Sequence, residues 1–180
     1  MKATELAIEH VKLQPYSPAH DRATVDWLNS EELRQSFGLT QSVTLESHRR
    51  WLESSMDTIM WAIYVGEQGH CGNVLVNCNL RHRSGYFQIY IGERRARGSG
   101  VGKLALHAVL DHLFFELDLH RVWLHTLPDH TAAERLYVGA GFVSEGIERE
   151  SIFRSGRFSS QQRWAILAMD WRNGQGKATR

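Results

Sequence analysis

The stretch RGSGVGK (97–103) constrains the chain more than any other part of it. Glycines stand at 98, 100 and 102, between YFQIYI (86–91) and KLALHAVLDHLFFEL (103–117). The first segment alternates Phe87, Ile89 and Ile91 with Tyr86, Gln88 and Tyr90, the period of a half-buried strand. The second sets Leu106, Val109, Leu110, Leu113 and Leu117 on one stripe, the mark of a helix packed on a core. A strand must therefore give way to a helix through a loop whose backbone bends freely and can approach a ligand closely. The first N–H groups of such a helix have no intrahelical partner, and they suit phosphate.

Two familiar phosphate motifs do not fit. A Walker A loop needs four residues between a glycine and Gly-Lys, then Ser or Thr for magnesium. Here position 97 is arginine and Leu104 follows Lys103. A dinucleotide fingerprint needs its third glycine three positions after the second. Here Gly102 follows Gly100 by two, and the preceding strand belongs to a meander.

The rest of the chain reads as one α/β domain. AIEHVKLQPYS (7–17) is a strand closed by Pro15 and Pro18. Residues 21–37 are helical, with a break at Asn29-Ser30, and 44–56 form a helix capped by Thr44. IMWAIYVG (59–66) is a buried strand. In NVLVNCNL (73–80), Val74, Val76, Cys78 and Leu80 alternate with Asn73, Leu75, Asn77 and Asn79, giving an apolar face and a polar one. HRSG (82–85) turns the chain into 86–91. A strand at 121–127, a short helix at 131–141, and strands at 142–153 and 163–171 joined at Ser155-Gly156 complete the order β-α-α-β-β-β-α-β-α-β-β. The expectation is a single domain over 1–172, with about seven mostly antiparallel strands and about four helices. A polar tail, 173–180, is expected to fray.

Net charge is +1 with acids and bases interspersed, which gives no reason to expect nucleic acid or a membrane as partner. No apolar run is long enough to span a bilayer, and MKATELAIEH lacks the apolar core of a signal peptide. Cys71 and Cys78 lie too far apart on one strand to bridge, which fits a reducing, cytoplasmic setting. Ten histidines invite a metal, but His107 and His112 are five apart rather than four, and no Cys-x-x-Cys occurs, so none is expected.

Arg97-x-x-Gly100-x-Gly102 resembles the Q/R-x-x-G-x-G/A signature of the GNAT superfamily of acyl-CoA-dependent N-acetyltransferases. In that family a short helix carries Asn-x-x-Ala-x-x-x-Tyr about thirty residues later, then Gly-Phe. Here His130, Ala133 and Tyr137 occupy those places, followed by Gly141-Phe142. Residues 26–37, 46–54, 145–150 and 155–158 resemble the branch of ribosomal-protein N-terminal, polyamine and nucleotide-amino-sugar acetyltransferases, and 82–91 looks most like the last of these. Two departures stand out. Histidine replaces asparagine at 130, and Ser160 stands where the branch often has aspartate.

The resemblance implies acetyl-CoA as co-substrate, transferred by direct attack to a primary amine. That amine belongs to a small molecule such as a nucleotide-linked amino sugar, or alternatively to a protein N-terminus. A non-catalytic acyl-CoA sensor is the rival reading, and a homodimer is compatible because related enzymes are often dimers. The family implies that Gly98, Ser99, Gly100, Val101, Gly102 and Lys103 cradle the pyrophosphate, with Arg97 and Lys103 adding charge, and that His130 and Ala133 are also cofactor-binding positions. It also implies a strand pair that splays apart, so that Ile89, Tyr90 and Ile91 offer backbone groups to pantetheine.

Tyr137 is implied as the acid for the leaving thiolate, since a phenol near pKa ~10 keeps its proton at neutral pH. Spacing alone reads it as a core tyrosine beside Leu136; the Tyr-x-x-x-Gly-Phe context favours the acid role. A lysine-like amine with pKa ~10.4 is neutral in roughly one molecule in 2,500 at pH 7, a penalty of ~4.6 kcal/mol. An α-amine near pKa ~8 costs only ~1.4 kcal/mol. Glu93 and His125 are the base candidates, against the alternatives of a solvated charge and an ordinary strand histidine. Asn77, Asn79, Gln88 and Tyr90 read either as an acceptor-pocket floor or as a solvated sheet face. Trp27 and Trp51 lie on helices that flank the acceptor in this superfamily, and packing explains them as well.

Overall fold

The computed structural model describes residues 2–178. Strands β1 (Leu6–Ile8), β2 (Val11–Pro15), β3 (Thr58–Val65), β4 (Gly69–Asn79), β5 (Ser84–Ile91), β6 (Arg121–Thr126), β7 (Val143–Arg154) and β8 (Arg157–Leu167) form one sheet, in the order β1-β2-β3-β4-β5-β6-β8-β7. Every neighbouring pair is antiparallel except β5 and β6, which are parallel. The helices are α1 (Asp21–Leu28), α2 (Glu31–Phe37), α3 (Leu45–Ser54), α4 (Val101–Asp111), α5 (Thr131–Gly139) and α6 (Ala168–Ala178). A single π-helical turn, His112–Glu116, extends α4.

There are eight strands rather than the expected seven because 7–17 folds as a hairpin. Glu9 takes a left-handed conformation (φ 50°), which turns the chain and pairs Leu6 with Leu13. The described residues hold six helices rather than about four. The break at Asn29-Ser30 makes two of one. Ser30 caps α2 by accepting from the Leu33 N–H, and Gly38 ends it in the left-handed region.

The last strand stops at Leu167, not at 171. Leu167 pairs with Arg121, the first residue of β6, and the Ala168 N–H donates to the His120 carbonyl just before it, where the ladder ends. The chain turns instead into α6, which takes up the backbone of the expected tail through Ala178. Trp171 anchors that helix: it is buried, and its indole N–H donates to Asp111 Oδ1 at 2.8 Å.

One sheet face carries the main core. Val74, Val76, Phe87, Val122, Leu124, Trp164 and Ile166 meet Leu106, Val109, Leu110 and Leu113 of α4. Cys71 and Cys78 are buried free thiols on this strand system. The opposite face is covered over β2–β5 by α1–α3, where Leu33, Met60, Leu75 and Tyr90 pack together. Asn73, expected on the polar face, is wholly buried here. Its amide donates to Thr24 Oγ1 and to the Tyr90 hydroxyl, at 2.8 and 2.7 Å. The polar side of the pattern is therefore a hydrogen-bonded second core, because helices cover it.

Candidate active site

The parallel pair opens almost at once. β5 and β6 are paired only at Ser84–Arg121, Gly85–Val122 and Tyr86–Trp123. Beyond Tyr86 the strands diverge, so β5 runs on to Ile91 with no partner on that side. About 17 Å of strand separates the vertex from the end of β5, at roughly 3.3 Å per residue. The glycine loop and the N-terminus of α4 lie at the far end of this gap.

Gly98 and Gly100 have φ of 74° and 85°, a conformation that penalises any other residue. A Cβ built at Gly98, Gly100 or Gly102 meets nothing within 4 Å, so the cradle opens onto free space. Ser99 Oγ donates to the Ala96 carbonyl, and Val101 is buried under the helix. The N–H groups of Val101 and Gly102, in the first turn of α4, have no helical carbonyl to reach. Lys103 is exposed one position further on. The arrangement suits an anion.

Arg97 is engaged elsewhere. Its Nε donates to the Ile91 carbonyl at 2.8 Å, and its Nη1 lies 2.6 Å from Glu32 Oε2 of α2. The guanidinium thus ties the end of β5 to α2 and the loop. Glu32 carried no sequence signal, since the contact spans 65 residues. Of the expected pantetheine strand, Ile89 and Ile91 pack against the main core, while the Tyr90 side chain points into the α1–α3 layer. Burial there pushes its phenol up to about 12. Only the backbone of Tyr90 belongs to the gap.

At the vertex, Tyr137 of α5 is buried between Phe87 and Phe142, with ring centroids 6.5 and 5.4 Å away. Desolvation raises its pKa above the ordinary tyrosine range, so it holds its proton at neutral pH. His130 caps α5: its Nδ1 accepts from the Ala133 N–H at 3.2 Å, the job an asparagine side chain would do there.

His125 projects from the opposite face of the sheet, on the same side as Trp123 and Tyr86 and opposite Arg163 of β8. Its ring lies 5.3 Å from Trp123 and 5.6 Å from Tyr86. Its Nε2 is 3.0 Å from Glu148 Oε2 of β7. Arg163 of β8 completes the group: its Nη1 is 2.9 Å from Glu148 Oε1, and its guanidinium sits 4.4 Å from the Trp123 ring centroid. Glu145 pairs with both Arg121 and Arg163. The close contact with His125, with Arg163 beside it, holds the Glu148 carboxyl below the usual range.

The structure therefore brings Tyr137 and His125 to the vertex from opposite faces and leaves Glu93 apart. Glu93 follows the far end of β5, half-exposed, with its carboxylate 3.8 Å from Arg95. Asn77 sits opposite Tyr86, donating to Thr58 Oγ1, and Asn79 holds the turn by accepting from the His82 N–H. Trp27 packs on Gly92, where even a Cβ would collide with the indole, and Trp51 lies half-exposed on His48. Glu148, Arg163, Tyr86 and Trp123 were missed as a group because four different strands supply a single cluster.

A splayed parallel pair, a glycine cradle at a helix N-terminus and a buried tyrosine at the vertex are the features that the sequence resemblance implied. The chain belongs to the GNAT acetyltransferase family: the family model described as an acetyltransferase (GNAT) domain matches residues 10–143. It is similar to the spermidine N(1)-acetyltransferase of Vibrio cholerae, 35% identical over 99 residues, which are 55% of this chain and 57% of that protein. It is also similar to the probable N-acetyltransferase YjcK of Bacillus subtilis, 33% identical over 81 residues, 45% of each chain. The chain thus spans about half the length of these curated relatives. Among solved structures, the spermidine N-acetyltransferase of V. cholerae in complex with CoA and spermine superposes with a TM-score of 0.84 at 23% identity. That superposition covers 91% of this chain and 99% of the other. The likeness establishes a shared fold.

Proposed function

We propose that the chain is an acetyl-CoA-dependent N-acetyltransferase acting on a primary amine of a small molecule. The observation that carries this is the gap itself, with an anion cradle at one end and Tyr137 at the other, separated by a strand edge free to pair. Acetyl-CoA would lay its pyrophosphate on the N–H groups of 98–103 and its pantetheine along β5 up to Ile91. Arg97 would hold the loop through Ile91 and Glu32. A main-chain N–H near the vertex would polarise the thioester carbonyl.

The amine attacks from the His125 side. The new N–C bond forms, the C–S bond breaks, and the thiolate takes the Tyr137 proton. His125 rather than Glu93 is the base in this reading, because it is the candidate at the vertex.

The spermidine acetyltransferases among the relatives support a polyamine acceptor over a nucleotide-linked amino sugar. The sensor reading rested on His130, and the cap that His130 makes removes its ground. Thiol release from acetyl-CoA, measured against spermidine, UDP-amino sugars and peptides with free N-termini, tests the proposal. Turnover should be fastest with spermidine. Tight acetyl-CoA binding without turnover of any amine would overturn it.

A further inference from the structure

Glu148 does not touch the gap, yet its place is unusual. β7 carries irregularities between Ser144 and Gly146 and between Glu148 and Ile152, with Gly146 at φ 119°. Bulges of this kind re-aim side chains and gather beside active sites. Here the result is a carboxylate that reaches across β8 to His125 on β6. One oxygen meets His125 Nε2 and the other meets Arg163 Nη1.

Both His125 Nε2 and Arg163 Nε are sealed from solvent, and neither has a well-aligned hydrogen bond. Short contacts of poor alignment are common before substrate binds and tighten when it does. The groups facing the His125 ring are Tyr86 from β5, Arg163 from β8, and Glu148 with Glu145 behind it from β7.

We infer that Glu148 is a positioning residue that fixes the tautomer of His125, so that Nε2 carries the ring proton and Nδ1 receives the proton of the acceptor amine. The inference rests on the transfer reading above. Arg163, lodged against Trp123, keeps the second oxygen occupied, so Glu148 cannot swing into the acceptor's path. Trp123 and Tyr86 hold the ring between them.

Two measurements test this. Imidazole ¹⁵N shifts of the unmodified chain at neutral pH should show His125 protonated on Nε2; a ring protonated on Nδ1 overturns the inference whether or not Glu148 variants fold. Then the pH dependence of kcat/KM is compared with that of Glu148→Gln. The plateau should fall about tenfold while acetyl-CoA affinity is unchanged. An unmodified chain that turns over, with a Glu148→Gln profile that coincides with it, overturns this inference alone. An unmodified chain that releases no thiol with any amine overturns the transfer reading and this inference together.

Discussion

The two sides of the β5–β6 gap are built by different means. The side proposed for the donor is made of consecutive backbone: the free edge of β5, then the turn at Gly98 and Gly100, then the first N–H groups of α4. The side proposed for the acceptor is made of side chains that converge from β5, β6, β7 and β8, each held by another: Tyr86, Trp123, His125, Glu148 and Arg163. Backbone recognition depends on conformation and tolerates changes in side chains, whereas a side-chain cluster depends on every member. One fold can therefore keep its donor and change its acceptor.

Substitutions on the two sides should separate accordingly. The largest effect is expected at the vertex, where the sides meet. Tyr137→Phe should lower kcat about a hundredfold while acetyl-CoA Kd stays the same; a matching loss of affinity would make Tyr137 a packing residue only. On the donor side, Gly100→Val forces a β-branched residue into φ 85° and adds bulk to the cradle. Its acetyl-CoA Kd should rise roughly tenfold by isothermal titration, for ~1–2 kcal/mol of backbone strain. An unchanged Kd would break the claim that backbone conformation carries donor binding.

Acidification probes the helix-covered face that adjoins the acceptor side. His20, His48 and His70 all have pKa values lowered by desolvation, so the fold favours their neutral forms. Their stabilising contribution is complete above the unfolded histidine value of about 6.5 and is lost as pH falls below it. Thermal unfolding should shift down by a few degrees between pH 7 and pH 5.5, and a flat Tm would contradict it. The smallest effect is expected at the cap of α5. His130→Ala should cost about 1 kcal/mol in urea unfolding, and His130→Asn almost nothing. Equal losses would mean that His130 does something other than cap.

How much of this was legible in the sequence follows the same division. The loop and the strand before it could be located from RGSGVGK and the helix after it, because their residues are close in the chain and their periodicity is strong, whereas the splay and Tyr137 came from the family resemblance. The hairpin at Glu9-His10 was hidden, since no glycine marks it and a single left-handed residue makes the turn. WAILAMDW reads as strand but turns helical where β6 runs out of partners, a long-range fact. Arg97 matches a family position, yet its hydrogen bonds go to Ile91 and Glu32. Glu148 could not be paired with His125 without knowing the register and bulges of β7.

The central claim is that the gap between β5 and β6 is the donor channel. Backbone amide shifts followed by NMR during titration with acetyl-CoA test it most directly. The largest changes should fall on 98–103 and on 87–91, with little change in α3 or the β1–β2 hairpin. Saturable binding that leaves 98–103 and 87–91 unmoved would contradict it.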